Sequence, residues 1–304
     1  MHYRTILSLS LALILCGLGV GLAQNQDDDD VRGAFLSSRD KTTSSASNTA
    51  SNTKARHKIR RAGGTSGPAK NTNNNVAANS NTSRKNSNAG STSTATPIGL
   101  GYTLFKRDAS GDAVRMDPAS EFHNGDRVRI SLEPNVDGYL YVFHREGDGE
   151  PEMIFPDWRL EDGNNAIDAH VPYDVPSGFE KDERLRWFTF YGKPATERLY
   201  IVITREPLAS VPTSEALVAF CAANKTKCPW QPVPQAWAKV EEARKADVQV
   251  VASTNYGQAQ TEKEKVATTR GLGLDQSAPP PSVIRMSAST KAPVLVTVLD
   301  LVHK

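Results

Sequence analysis

Residues 122–155 decide the fold, and they read FHNGDRVRISLEPNVDGYLYVFHREGDGEPEMIF. Three apolar runs are separated here by the turn pairs Asp137-Gly138 and Asp148-Gly149, a spacing typical of a meander of antiparallel strands. In residues 128–132 apolar and polar side chains alternate, which predicts a half-buried strand. In residues 139–143 both faces are apolar or aromatic, which predicts a central strand covered on both sides.

Further short strands are predicted on both sides of this stretch. Residues 98–106 are typical of a first strand, and residues 186–190 and 199–203 are two later apolar runs bounded by turn residues. Long helices do not alternate with these strands, which argues against a parallel α/β sheet. We therefore predict a mainly β fold: an antiparallel β-sandwich, immunoglobulin-like or jelly-roll-like, with two short helices inserted and a long disordered N-terminal linker.

Four strings in this region together resemble a known family. They are GLGYTLFKRDASGDAVRMDP, then FHNGDRVRISLEPNVDGYLYVFHREGDGEPEMIFPD, then NNAIDAHVPYDVP, and finally ATERLYIVITREPL. In this order they are similar to the bacterial domain-of-unknown-function family numbered 4384, over about residues 97–208. The resemblance implies an exported or envelope-associated β module. Related domains occur beside caspase-like peptidase or protein kinase domains, and the sequence shows no such neighbour. The family has no established catalytic residues to carry over.

The N-terminus has the pattern of a secretory signal. His2 and Arg4 form a short polar and basic start, residues 6–20 are apolar, and the small residues Gly21 and Ala23 follow. We predict a signal peptide over residues 1–23, export to the periplasm, cell envelope or exterior, and no transmembrane segment after signal removal. Two alternatives are a retained anchor, for which the apolar run is short, and a lipoprotein at Cys16, which lacks the small residue normally found before the cysteine.

Residues 24–96 are predicted to be a disordered basic linker rich in Ser, Thr and Asn. Large apolar residues are almost absent after Leu36, so burial cannot offset the entropy of folding. The formal net charge of +2 hides the excess of Lys and Arg here, which can make weak, salt-sensitive contact with an anionic polymer. Specific nucleic-acid binding is not predicted because no aromatic residues interleave the charges. A solvated spacer is the simpler interpretation, and residues 31–36 are its only segment predicted to dock.

Residues 209–247 are predicted to be a helical segment, with helices near 214–224 and 234–247. Cys221 and Cys228 lie in this segment, and in an oxidising compartment they predict a disulfide, with free thiols as the alternative. No further ligands lie at zinc-site spacing. Residues 248–304 are predicted to be a tail whose C-terminal strands complete the sheet. Donation of residues 294–299 to a partner is the alternative.

Candidate binding residues are few. Tyr139 and Tyr141, with Asp157 and Trp158 at the rim, could form an aromatic face for a sugar or a peptide. Tyrosines of a central strand are more often core residues with satisfied hydroxyls. A charged hairpin could attract a cation, but its spacing does not match a calcium loop, so no metal site is predicted. Its members are His144, Asp148, Glu150 and Glu152.

Motifs of the common hydrolases and nucleotide-binding proteins do not occur in the sequence. We therefore predict no catalytic residue and no cofactor. The predicted function is that of a non-catalytic exported envelope module that mediates contact with an unknown protein or cell-wall polymer. The alternative is a hydrolase or regulatory subunit acting on envelope polymers. A deep pocket with convergent His, Asp or Glu would favour the alternative, and flat faces with a filled interior would exclude it.

Overall fold

The computed structural model describes residues 21–41 and 96–304, with side chains from residue 27 onward in the first segment. Most of the predicted signal and linker, residues 1–20 and 42–95, lies outside the described part. The strands are β1 Gly99–Arg107, β2 Ala113–Met116, β3 Glu121–Phe122, β4 Arg127–Pro134, β5 Gly138–Glu146, β6 Glu152–Phe155, β7 Ala166–Ile167, β8 Tyr173–Val175, β9 Phe188–Thr189, β10 Ala195–Thr204, β11 Val248–Ala252, β12 Val283–Ser287 and β13 Val294–His303. The helices are α1 Gly21–Ser37, α2 Ser214–Ala223, α3 Pro234–Ala243 and α4 Glu262–Arg270.

The strands form two sheets. The first has the order β11-β12-β1-β4-β8, with β2 paired to β1 and β9 paired to β4. The second has the order β3-β13-β10-β5-β6, with β7 paired to β5. Every pairing is antiparallel except that of β13 with β3. The mainly β, two-sheet architecture predicted from the sequence is confirmed.

The main core lies between the sheets, because alternate residues of each strand point inward. Leu132 of β4, Val142 of β5 and Ile201 of β10 are all fully buried there. In β5 the intervening residues Tyr141 and Phe143 point to the opposite face and are also buried. β5 is therefore covered on both sides, as its sequence predicts.

Helices α2 and α3 cover the outer face of the second sheet. Trp237 of α3 packs edge-to-face on Phe143 and Tyr200, with ring centroids 5.6 and 4.6 Å apart. Cys221, buried at the end of α2, is bonded to Cys228, so the predicted disulfide is present. The bridge closes a short loop and restricts the chain that leads into α3.

The C-terminal tail contributes to both sheets. β11 and β12 extend the first sheet beyond β1, and β13 pairs with β10 along ten residues, from Ala195↔His303 to Thr204↔Val294. This placement keeps the apolar residues of 294–299 within the chain's own sandwich, and β13 lies between β3 and β10.

Helix α1 corrects the predicted start of the linker, which was expected to be disordered from residue 24 except for the docking segment 31–36. Val31 and Phe35 of α1 are buried against the outer face of the first sheet, and the chain remains attached there as far as Asp40, which bridges to Asp275. Docking of these two side chains provides the burial that the rest of the segment lacks. Among the helices of the described residues, none has the length and apolarity needed to cross a bilayer.

Two glycines of the central meander have different roles. Gly125 has φ +92°, a left-handed conformation that favours glycine in a turn. Gly138 was also predicted to be a turn glycine, but it begins β5, and a Cβ there would lie 2.2 Å from the carbonyl oxygen of Thr204. Gly138 is thus required by the close approach of β10 to β5.

Candidate functional site

A row of charged side chains lies on the outer face of the first sheet. In β4, Val128, Ile130 and Leu132 face the main core, while Arg129 and Glu133 point the other way. The alternation was predicted, but the polar face was expected to be at the solvent. Arg129 and Glu133 are instead only 3% and 4% exposed. Charges buried to this extent require partners, and neighbouring elements supply them.

Arg129 is held by three contacts. Its Nε lies 3.2 Å from Oδ2 of Asp174, its Nη2 donates to Gln260 at 2.9 Å, and its guanidinium lies 4.5 Å from the ring centre of Trp187. Burial raises the pKa of the Asp174 carboxyl, and the nearby Arg129 opposes the shift. This part of the row joins β4 to β8 and to the segment before α4.

Arg115 of β2 makes the equivalent connection to α4. Its Nη2 lies 2.5 Å from the Glu264 carboxylate, and its Nη1 donates to Thr103 at 3.2 Å. Glu264 also completes a capping box with Thr261 at the start of α4. A single carboxylate therefore both caps the helix and neutralises the buried arginine beneath it.

The third part of the row is the Glu133 cluster, which consists of Ser38, Arg39, Glu133 and His170. The Arg39 guanidinium donates to both Glu133 oxygens, at 2.8 and 2.6 Å, and to the carbonyls of Ala278 and Pro279 at 3.0 and 3.2 Å. His170 Nδ1 lies 2.8 Å from Glu133 Oε1. Such bidentate, charge-assisted bonds are the strong kind.

In the Glu133 cluster a serine contacts a histidine, and the same histidine contacts a carboxylate. Ser38 Oγ lies 2.8 Å from His170 Nε2, and His170 Nδ1 faces Glu133, which is the order of a hydrolytic triad. His170 has φ +59°, a strained conformation for a residue other than glycine. The arrangement was not predicted, because its members lie up to 132 positions apart in the sequence.

Other contacts of the Glu133 cluster oppose hydrolysis. The Ser38 hydroxyl donates to the Phe35 carbonyl at 2.7 Å, which engages the proton that a catalytic serine must give to histidine. Arg39 neutralises the carboxylate that would stabilise a charged imidazole. The cavity beside Glu133 is lined also by Thr103, Ser131 and Glu264 but by neither Ser38 nor His170, and it has a volume of about 20 Å³. That volume holds one water molecule and no substrate.

The four residues predicted to form an aromatic face do not share an exposed surface. Tyr141 is fully buried, and its hydroxyl accepts a hydrogen bond from the Leu208 amide at 2.9 Å. Tyr139 is half-buried against the same outer cluster of the second sheet. Asp157 is engaged by Arg159 at 2.5 Å, and Trp158 is 37% exposed. Of the four, Trp158 alone presents a large exposed aromatic surface.

The charged hairpin of His144 is arranged differently from the cation site considered for it. His144 Nε2 lies 2.6 Å from Glu197, and its Nδ1 lies 3.5 Å from Glu152. Asp148 is at the solvent, 3.9 Å from Arg145, and Glu150 is also exposed. Burial alone would lower the pKa of His144, but hydrogen bonds to Glu152 and Glu197 raise it above its ordinary value. In the described segments, no three His, Cys, Asp or Glu side chains are grouped to hold a metal ion.

Residues 121–207 match the family model described as "Domain of unknown function (DUF4384)". The match confirms the family resemblance and covers β3 to β10, beginning later than the predicted residue 97. Comparisons with curated proteins and with solved structures gave no match. The matched segment does not contain a whole sandwich, because β1, β12 and β13 lie outside it and complete the two sheets.

Proposed function

We propose that this protein, whose residues 121–207 carry the DUF4384 segment, is a non-catalytic module of the cell envelope that binds a protein or cell-wall polymer through its surface. Two features support export. The N-terminal sequence has the pattern of a secretory signal, and the Cys221–Cys228 bond is of the kind that persists in oxidising compartments.

The observation that carries the proposal is the filled space between the sheets. Residues from both sheets meet there with no exposed surface, as Leu132, Val142 and Ile201 illustrate. Interiors packed in this way leave no volume for a substrate. Recognition is therefore assigned to the outer surfaces.

Three exposed aromatic residues are the best anchors for a partner. Trp158, Phe179 and Tyr191 are 37%, 42% and 82% exposed, respectively. Large aromatic side chains contribute much of the binding energy at protein interfaces when a partner removes them from water. Trp158 was among the predicted binding residues, and it retains that role here.

Affinity capture from an envelope extract tests the proposal, with the full chain as bait. We expect one partner to be retained by wild-type protein and lost by the variant Trp158→Ala/Phe179→Ala/Tyr191→Ala. A second variant replaces the basic residues between positions 42 and 95 with Ser and should keep the partner. Loss of the partner in the second variant and its retention in the first would assign recognition to residues 42–95 and refute the proposal. The replaced residues are Lys54, Arg56, Lys58, Arg60, Arg61, Lys70, Arg84 and Lys85.

The second candidate function is a hydrolase acting on envelope polymers. The observation that favours it is the pair of contacts from Ser38 to His170 and from His170 to Glu133. Incubation with an activated ester, and labelling by a serine-directed phosphonate, separate the two functions. The binding module predicts the same background hydrolysis for wild type and Ser38→Ala. Turnover and labelling that disappear in Ser38→Ala would establish the hydrolase.

A further inference from the structure

Helix α1 is attached to the sandwich by a small apolar contact of its own. Phe35 is fully buried and Val31 nearly so, and they pack on Val251, Ile284 and Met286. These five residues form a cluster separate from the main core and from the core beneath α2 and α3. Removal of α1 would therefore uncover a surface without opening either larger core.

Polar groups extend this contact beyond the C-terminal end of α1. Some belong to the sandwich, called the body below, and the others to the segment that follows α1. The body supplies the Glu133 carboxylate, the His170 ring beside it, and the carbonyls of Ala278 and Pro279. The segment after α1 supplies the Arg39 guanidinium, whose Nε, Nη1 and Nη2 all donate. Planar, multiple bonding of this kind selects arginine over lysine. Without a cation, Glu133 would be a buried carboxylate that lacks its main partner, which is costly.

The anchors follow one another at a regular spacing. Val31 and Phe35 are four positions apart and therefore lie on one side of α1, and Arg39 follows four positions later, in the bend after the helix ends at Ser37. Arg32 adds a bond from Nη2 to the Ala252 carbonyl at 2.9 Å. Apolar anchors at helical spacing in a surface groove are the pattern by which many proteins bind helical peptides.

We infer that this surface, the α1 groove formed by Glu133, His170, Val251, Ile284 and Met286, is a recognition site for a helical peptide with a large apolar residue four positions before an arginine. α1 is its tethered occupant and blocks access from within the same chain. Covalent attachment through residues 42–95 gives α1 an advantage over a free competitor. The inference rests on the proposed function in that the module acts by binding protein, and it adds a site and a partner chemistry.

The test uses the full chain with Phe35→Ala/Arg39→Ala, which empties the groove and leaves its walls intact. The probe is a labelled synthetic peptide of residues 27–41, and binding is measured by fluorescence anisotropy. We expect the peptide to bind the opened variant at least about tenfold more tightly than wild type, because wild type is already occupied. A peptide with Arg39→Ala should bind the opened variant at least about tenfold more weakly than the native peptide. Equal affinity for wild type and a folded opened variant, or no binding to the latter, overturns the inference.

A second measurement avoids any dependence on the folding of that variant. A protease site inserted between residues 42 and 95 of the wild-type sequence allows α1 to be cut from the body after folding. Excess peptide 27–41 should displace the cut fragment during size-exclusion chromatography, and the Arg39→Ala peptide should not. Displacement by neither peptide, or concentration-dependent dimers of the uncut protein that exchange α1 between copies, contradicts a self-occupied groove. Neither measurement needs a natural partner. A failed capture from envelope extract would therefore reject the proposed function without affecting the test of the α1 groove.

Discussion

The guanidinium of Arg39 and the carboxylate of Glu133 form a bidentate ion pair across 94 positions of sequence, with side chains only 1% and 5% exposed. The pair joins the segment after α1 to β4, an interior strand of the first sheet. It therefore fixes where the N-terminal segment docks, and it brings Ser38 to His170.

Arg39→Ala tests how much this ion pair contributes to stability. Removing one partner of a buried ion pair leaves the other uncompensated, so we expect a loss of about 3 kcal/mol in the free energy of unfolding or of α1 docking. Urea unfolding measures the first, and amide hydrogen exchange in α1 measures the second. The control is Arg244→Ala, whose pair with Glu241 is partly exposed and should contribute less than about 0.5 kcal/mol. Equal values for the two variants would contradict a clamping role for Arg39.

Tyr141→Phe tests whether this tyrosine is a core residue. The substitution leaves the partly buried Leu208 amide without its acceptor, and we expect a loss of about 1 kcal/mol in the free energy of unfolding. Tyr191→Phe is the matched control, because Tyr191 is 82% exposed and should change stability by less than about 0.5 kcal/mol. Chemical denaturation of both variants gives the comparison. A Tyr141→Phe protein as stable as the control would restore Tyr141 as a candidate surface residue.

His144 should make stability depend on pH. Its pKa is raised above the ordinary 6.5 because hydrogen bonds to Glu152 and Glu197 outweigh burial, so the folded state holds the proton more tightly than the unfolded state. The resulting stabilisation is complete below pH 6.5 and is lost as pH rises through the higher folded value. His144→Gln should therefore remove a decline in stability that begins as pH rises above 6.5, measured by urea unfolding.

The control for this pH dependence is His123→Gln, because His123 is exposed in the loop before β4. It should leave the profile of the wild-type protein unchanged. A profile that declines equally in His144→Gln would show that other groups cause the decline.

The Cys221–Cys228 bond should stabilise the protein through its short loop. Closing a loop of this size contributes about 2.5 kcal/mol in the chain-entropy model, so Cys221→Ala/Cys228→Ala should lower the free energy of unfolding by that amount. Reducing agent should destabilise wild type to a similar extent and leave the double variant unaffected. A wild-type protein that is indifferent to reductant while its thiols become accessible would contradict the prediction.

The architecture was predictable where side-chain alternation and turn residues recur along the chain. β4 and β5 show this most clearly, because one face of each must meet the opposite sheet. Helix α4 was not predicted, although Thr261 and Glu264 have the spacing of the capping box that begins it. β3 and β9 contain two residues each, too few for any periodicity to show.

The candidate site was much less predictable. Ser38 and Arg39 follow the predicted docking segment 31–36 and have the composition of the polar stretch beyond it. Glu133 follows directly after the half-buried strand predicted over residues 128–132, and His170 lies in a loop. Only the fold brings them together, because α1 and the loop before β12 cover the outer face of the first sheet. Single-sequence patterns report local periodicity and carry no signal for such distant pairs.

The interior position of β13 has a consequence for biogenesis. Until residues 294–303 are available for pairing, β10 has a neighbour on one side only, β5, and the second sheet lacks an interior strand. Contacts between such distant parts of a polypeptide also form slowly. Closure of the second sheet is therefore expected to be a late event in the folding of this chain.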